Sequence, residues 1–192
     1  MKSMLKQSLL WTLGFAANVR PFATFFQSGL SHWRLNGTGH KFEKRNALPL
    51  LILNYHRVLP QDNPFAIDAI TSDDFEEQLK ILGKHFQVLP LSNAVTSLKS
   101  GTLKSPTVCL TFDDGYRDNF TFAFPLLAKY NLPATIFITT DYINTTNLLW
   151  HDRVLGIFEK TKQSTFSLPE LEIDNMKLGD EETRRTAAFT VL

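Results

Sequence analysis

The sequence predicts an α/β fold in which helices cover a parallel sheet. Short, continuous apolar runs, such as Leu50–Leu53 and Thr107–Phe112, are typical of strands that are buried on both faces. Segments with apolar residues at helical spacing separate these runs, so strands and helices alternate over about ninety residues. Alternation of this kind indicates right-handed βαβ units, in which each helix packs back onto the sheet.

The predicted elements begin near Leu48 and run to the last residue. The predicted strands are 50–56, 86–89, 107–112 and a buried strand over 134–139. The predicted helices are one capped by Thr71 or Ser72, one capped by Ser92 and closed by Gly101, one over 118–130 with a kink at Pro125, one over 150–162 and one over 180–192, with a loop over 163–179 before the last. The apolar stripe of the helix over 150–162 consists of Trp150, Val154, Ile157 and Phe158. The first of these helices is well supported, because acidic residues fill its first turn and Phe75, Leu79 and Leu82 form an apolar stripe.

The first part of the chain differs from the rest in charge. Residues 1–50 contain seven lysine and arginine side chains but a single acid, Glu43. Lys2 and Lys6 precede the apolar run 8–17, which is too short to span a bilayer. Three interpretations stay open: a short signal peptide, an amphipathic helix that lies on a membrane surface, and a helix that docks on its own domain. We therefore divide the chain into a basic, amphipathic helical extension and linker over 1–47 and a domain over 48–192.

Composition limits the classes of function. The chain has 192 residues and a formal net charge of +1, which gives no indication of nucleic-acid binding. The only cysteine, Cys109, excludes an internal disulfide, and its apolar surroundings predict a buried, unreactive thiol. We expect a location in the cell envelope or outside the cytoplasm, with the cytoplasmic face of the membrane as the alternative. Peripheral membrane contact would then occur through the basic extension.

Asp113 and Asp114 form the candidate chemical site. Two carboxylates directly after an apolar strand are costly unless water or a cation compensates them. Gly115 allows a sharp turn at the strand's C-terminal end, where α/β barrels place their active sites. One carboxylate could then bind a divalent cation while the other accepts a proton from a metal-bound water. The alternative is a solvated turn in which one aspartate caps the next helix.

Several short motifs give this pair a context. They are Asn54-Tyr55-His56-Arg57-Val58, Asp74-Phe75-Glu76-Glu77-Gln78-Leu79, Thr111-Phe112-Asp113-Asp114-Gly115-Tyr116, Asn119 and Leu132-Pro133-Ala134-Thr135-Ile136-Phe137. In this order and at these spacings, they resemble the polysaccharide deacetylase family. This family is the NodB-homology group, also called carbohydrate esterase family four. The resemblance extends from about residue 50 to about residue 155.

The resemblance implies a distorted (β/α) barrel, of which this chain would form a part. It also implies hydrolysis of N-acetyl groups on an amino-sugar polysaccharide, usually with zinc. By the same resemblance, Asp113 is the general base and Asp114 a metal ligand. His56 lies beside this pair at the C-terminal ends of the strands. There it either contacts the substrate or the metal site, or it makes a structural hydrogen bond. Structural roles are expected for Arg57 and for Tyr116.

The sequence departs from the family at its histidines. A pair spaced His-x-x-x-His completes the metal site in the family, and the five histidines here do not form one: His32, His40, His56, His85 and His151. We interpret His151 as structural. A single aspartate is a poor zinc site, since catalytic zinc usually has three protein ligands. We therefore expect the 192 residues alone to be inactive and marginally stable, either as part of a longer enzyme or as a non-catalytic carbohydrate-binding relative.

Two further functions are weaker alternatives. A phosphatase that used the acidic pair would need cationic side chains around the phosphate, and only Arg57 and Arg117 are expected to lie near the pair. A membrane-surface scaffold would depend on the basic extension alone.

Overall fold

The computed structural model describes residues 50–103 and 106–192. Its helices and strands are β1 (Leu50–Tyr55), β2 (Arg57–Leu59), β3 (Ala69–Thr71), α1 (Ser72–His85), β4 (Gln87–Val88), α2 (Leu91–Lys99), β5 (Thr107–Phe112), α3 (Phe124–Tyr130), β6 (Ala134–Ile136), α4 (Trp150–Lys160), β7 (Thr165–Leu168), β8 (Ile173–Lys177) and α5 (Glu181–Val191). The predicted α/β class is confirmed. The predicted extension over 1–47 lies outside the described residues, and no described helix is long and apolar enough to cross a bilayer.

The main sheet is built around β5. Strand β1 pairs with β5 in parallel along its whole length, while β4 pairs with the first two residues of β5 and β6 with its last three. All six residues of β5 are buried, as the sequence predicts. Over the described residues the four strands form an open parallel sheet, which agrees with a partial barrel.

Helix α1 covers one face of this sheet. Its N-cap is Thr71, whose hydroxyl oxygen accepts a hydrogen bond from the backbone N–H of Asp74. Phe75 of the helix packs edge-on against Tyr55 of β1 and Phe112 of β5, with ring centroids 5.1 and 5.9 Å away. This aromatic group is the centre of the larger hydrophobic core. The predicted apolar stripe of α1 is thus confirmed.

Two strands are less buried than predicted. Strand β1 leaves Ile52 53% exposed, and the predicted buried strand over 134–139 shortens to β6, after which Phe137 and Ile138 are half exposed. The reason is the same in both cases: among the described residues, β1 and β6 each pair only with β5 in this sheet. One face or edge of each strand therefore stays uncovered.

Two helix predictions need correction in detail. Helix α2 begins at Leu91 after Pro90, so Ser92 lies in its first turn and does not cap it. The predicted helix over 118–130 is a π-helical turn over Asn119–Ala123 that continues into α3. Because Pro125 has no N–H to donate, the expected irregularity appears as a change of helix type beside it.

The predicted loop over 163–179 is wrong. Strands β7 and β8 form an antiparallel hairpin there, with a register shift between Phe166 and Leu168. A single helical turn over Pro169–Leu171 connects them. The hairpin packs with α4 and α5 around a second hydrophobic core that consists of Phe65, Leu155, Phe158, Leu178, Ala187 and Ala188. Strand β7 alternates over only four residues, and β8 does not alternate, so the sequence gives no clear strand pattern here.

Candidate active site

The loop after β5 turns sharply at two successive residues. The backbone N–H of Asp113 still donates to the carbonyl of Tyr55, at 2.9 Å, as an extension of the sheet. Asp114 and Gly115 then adopt left-handed conformations, with φ of 70° and 71°. A Cβ atom on Gly115 would lie 2.9 Å from Cγ2 of Ile138, so this glycine is needed for both conformation and space. The sequence predicted the turn at Gly115 but not the left-handed Asp114.

A chain of hydrogen bonds holds the Asp113 carboxylate. Asn54 Nδ2 donates to Asp113 Oδ2 at 2.9 Å, and Thr111 Oγ1 donates to Asn54 Oδ1 at 2.9 Å. Asn54 and Thr111 are register partners on β1 and β5, so their side chains lie on the same face of the sheet. The threonine hydroxyl thus fixes which end of the asparagine amide faces the carboxylate.

His56 and the acidic pair come together at the C-terminal ends of β1 and β5. His56 Nε2 lies 3.8 Å from Asp113 Oδ2, and both side chains are about one third exposed. Asp114 Oδ1 lies 3.5 Å from the hydroxyl of Thr139, which follows β6. The structure therefore brings all three predicted site residues to one rim of the sheet. Their roles stay predictions.

The described residues do not form a complete zinc site. No group of three or more histidine, cysteine, aspartate or glutamate side chains in residues 50–103 and 106–192 is arranged to hold a metal ion. Catalytic zinc usually has three protein ligands. Asp114 alone therefore does not fit the metal that the family resemblance implies.

A second polar network lies directly beside the loop. Arg57 Nε donates to Asp118 Oδ2 at 2.9 Å, and the guanidinium lies over the ring of Tyr116, 4.5 Å from its centroid. The Tyr116 hydroxyl donates to Asp152 Oδ2 at 2.9 Å and contacts His151 Nε2 at 2.8 Å. This network joins the loop to the first turn of α4.

Burial and the neighbouring Asp152 carboxylate raise the pKa of the Tyr116 hydroxyl far above its ordinary value. The hydroxyl therefore keeps its proton and acts as a donor at all physiological pH values. The sequence predicted structural roles for Arg57 and Tyr116 but did not identify Asn54, Asp118 or Asp152 as partners. The paired register of β1 and β5 would have indicated Asn54, whereas nothing in the sequence indicated the contacts to Asp152.

The rim that carries His56, Asp113 and Asp114 is partly open to solvent. Two cavities, of about 610 and 360 Å³, lie elsewhere on the described residues, and neither is lined by these three residues.

Comparisons with known proteins point to one family. Residues 100–177 match the family model described as polysaccharide deacetylase. A poly-β-1,6-N-acetyl-D-glucosamine N-deacetylase of Staphylococcus epidermidis is 33% identical over 120 residues, which cover 56% of this chain and 40% of that protein. YxkH of Bacillus subtilis, whose name gives polysaccharide deacetylase as a provisional assignment, is 30% identical over 141 residues, which cover 72% of this chain and 47% of that protein.

The solved structure of IcaB from Ammonifex degensii is 31% identical, with a TM-score of 0.45 over 50% of this chain and 40% of that chain. The chain spans less than half the length of the curated relatives described above. The residues matched by the family model include β5, the acidic pair and the motif over 132–137, while the motifs over 54–58 and 74–79 lie outside them. The family model and the curated relatives confirm that the chain is a relative of the polysaccharide deacetylases.

Proposed function

We propose that this chain supplies the acid–base part of a hydrolase site that removes N-acetyl groups from an amino-sugar polysaccharide. The observation that carries the proposal is the placement of Asp113. Its carboxylate is oriented by Asn54 and lies 3.8 Å from the imidazole of His56, at the rim where parallel strands end. The domain that contributes these residues would extend over 48–192.

The proposed substrate class is supported by the relatives. The Staphylococcus epidermidis relative is named for poly-β-1,6-N-acetyl-D-glucosamine, so a β-linked N-acetylglucosamine polymer is the proposed substrate. Partial exposure of His56 and Asp113 leaves them accessible to such a chain.

Asp113 and His56 can divide the proton transfers of amide hydrolysis. The Asp113 carboxylate accepts a proton from a water molecule whose oxygen bonds to the amide carbon. His56, whose Nε2 lies 3.8 Å from Asp113, donates a proton to the amide nitrogen as the carbon–nitrogen bond breaks, and the proton held by Asp113 replaces it. The products are a free amine on the sugar and acetic acid, which loses its remaining proton to solvent and becomes acetate.

The metal and the cellular location remain proposals. The resemblance predicts zinc, with Asp114 as one ligand. Replacing Asp114 by Asn would test this ligand through zinc affinity, with Asp68→Asn as a matched control because Asp68 is also an aspartate with positive φ. Location in the cell envelope, with membrane contact through the basic extension, is proposed from the sequence alone.

The first experiment maps the site without requiring turnover. A β-1,6-linked N-acetylglucosamine pentamer is titrated into the ¹⁵N-labelled 192-residue protein. We expect the largest amide shifts at His56 and at the loop over 113–116, and small shifts in α5. Shifts that cluster around the larger cavity and spare this loop would overturn the proposed site.

Acetate release, measured in parallel with added zinc, distinguishes the proposed deacetylase from an alternative function. The alternative is a non-catalytic carbohydrate-binding relative, which is favoured by the incomplete ligand set of the described residues. Release that falls about 10²- to 10⁴-fold in Asp113→Asn, but not in Asp68→Asn, supports the enzyme. Binding at the loop without acetate release supports the binding relative.

A further inference from the structure

Trp150, at the start of α4, is largely exposed to solvent. The sequence predicted an apolar stripe on α4 that includes Trp150, Val154, Ile157 and Phe158. The structure buries Phe158 and half-buries Val154, but it leaves Trp150 59% and Ile157 65% exposed. Trp150 is the first residue of α4, so its indole lies at the end of the helix that adjoins the candidate active site.

The first turn of α4 is fixed to the loop that carries the acidic pair. The Trp150 ring contacts the His151 ring edge-on, with centroids 5.7 Å apart and an interplanar angle of 83°. His151 Nε2 lies 2.8 Å from the hydroxyl of Tyr116, and the same hydroxyl donates to Asp152. Tyr116 is only two residues beyond Asp114. His151 and Asp152 therefore contact the loop that carries the acidic pair, and Trp150 packs on His151.

An exposed indole suits a neutral, amphipathic ligand such as a sugar ring. A pyranose ring presents a face of C–H groups with hydroxyl groups around its edge. An indole matches this pattern, because it offers a flat apolar face and one N–H donor. The indole is also held in place before the ligand arrives, which reduces the entropy lost on binding.

We propose that Trp150 is a platform for a sugar ring of the polymer next to the unit that is deacetylated. This inference rests on the proposed function and adds a subsite to it. A polymer whose N-acetyl group reaches Asp113 must continue across the surface on at least one side. A neighbouring sugar ring of the polymer would pack on the indole of Trp150 at the start of α4.

The subsite predicts a dependence on the length of the glycan. Trp150→Ala should weaken binding of the β-1,6-linked N-acetylglucosamine pentamer about five- to tenfold and should leave binding of the monosaccharide unchanged. Trp150→Phe should restore part of the affinity, since it keeps a flat ring but loses the N–H donor. Ile157→Ala is the matched control: it removes an equally exposed apolar side chain about 10 Å further along the same helix and should have no effect.

Affinities are measured by isothermal titration of the full chain, and the indole N–H signal of Trp150 is followed by NMR during the same titration. A shift of this signal with the pentamer, together with the loss in Trp150→Ala, supports the subsite. Unchanged pentamer affinity in Trp150→Ala overturns the subsite but leaves the proposed function intact. Failure of the wild-type chain to bind the pentamer overturns both. Pentamer-independent binding of the chain to phosphatidylglycerol vesicles that is lost in Trp150→Ala would assign Trp150 to a membrane and overturn the subsite.

Discussion

The molecule contains two regions that are built in different ways. The sheet region, over 50–136, packs α1 on parallel strands that are far apart in sequence, and its core centres on three aromatic rings. The C-terminal unit, over 150–192, packs two helices and a local hairpin around a separate core. The polar network of Arg57, Tyr116, His151 and Asp152 joins them beside the candidate active site. The site therefore depends on a polar junction whose strength can be tested separately from either core.

The largest expected effect comes from the sheet core. Phe112 is fully buried and contacts both Tyr55 and Phe75. Phe112→Ala should lower the free energy of unfolding by about 3–5 kcal/mol, because a cavity replaces an entire ring. We expect hydrogen exchange to accelerate throughout the described residues, since the C-terminal unit attaches to this region.

Phe158→Ala is the matched change in the C-terminal core. We expect it to accelerate hydrogen exchange in α4, the hairpin and α5 while β1 and β5 keep most of their protection. Equal acceleration in both regions would show that the two cores unfold as one unit, and the comparison between them would fail.

The junction should produce the next largest effect. Arg57→Met removes the partner of Asp118, a carboxylate that is only 9% exposed. The remaining bond from the Val58 N–H is long, at 3.2 Å, so the loss should be about 1–3 kcal/mol. Lys80→Met removes an exposed ion pair with Glu77 and should leave the thermal midpoint unchanged.

The junction prediction also has a local readout. In Arg57→Met, amide exchange should accelerate in the loop over 113–116 and in the first turn of α4 together. Acceleration in the loop alone would mean that the hydrogen bonds of Tyr116 hold α4 without help from the arginine.

A smaller effect is expected from the residue that orients the proposed base. Asn54→Ala removes the only side-chain donor that the structure gives the Asp113 carboxylate among the described residues. In a form of the protein that releases acetate, the release should fall about tenfold through loss of orientation, while stability changes little because Asn54 is exposed. Asn93→Ala, at an exposed position of α2, serves as the control. Release that is unchanged in Asn54→Ala would remove Asn54 from the site.

The two regions also differ in how far the sequence predicted them. In the sheet region, β5 appears as an unbroken apolar run because it is buried on every side, and Thr71 signals the start of α1 through its cap. The acidic pair was found for the same reason, since carboxylates directly after a buried strand are unusual. The exposure of Ile52 was missed because an apolar run does not reveal which strands lie at an edge.

In the C-terminal unit the helices were predicted and the hairpin was not. Strand β8 places Asp174 and Asn175 in its middle, and Asn175 has a positive φ, so its sequence lacks the regular alternation of a half-buried strand. The contacts of Tyr116 with α4 were missed for a different reason. They join residues 35 and 36 positions apart through the packing of two regions, which local patterns do not contain.

The smallest expected effect is a pH dependence confined to the C-terminal unit. Asp180 caps α5 through a reciprocal pair of bonds: its carboxylate accepts from the Thr183 N–H at 2.9 Å, and its own N–H donates to the Thr183 hydroxyl at 3.0 Å. Hydrogen bonds from Thr183 to the carboxylate lower the pKa of Asp180 below its ordinary value of 3.8. Asp180→Ala should therefore lower the thermal midpoint at neutral pH.

The sign of the pH effect follows from the direction of that shift. A pKa that is lower in the folded state stabilises the fold above the unfolded-state value, and this contribution is lost as the pH falls through the folded-state value. The difference in stability between wild type and Asp180→Ala should thus be constant near neutral pH and shrink below about pH 4. Glu182→Ala, which removes an acid from the same helix turn without a capping bond, should show a smaller and flatter difference. If thermal unfolding followed by circular dichroism gave a difference that grew towards acid pH, the capping role of the carboxylate would be refuted. A shrinking difference accompanied by faster exchange only in α5 would show that the C-terminal unit responds to acid separately from the sheet region.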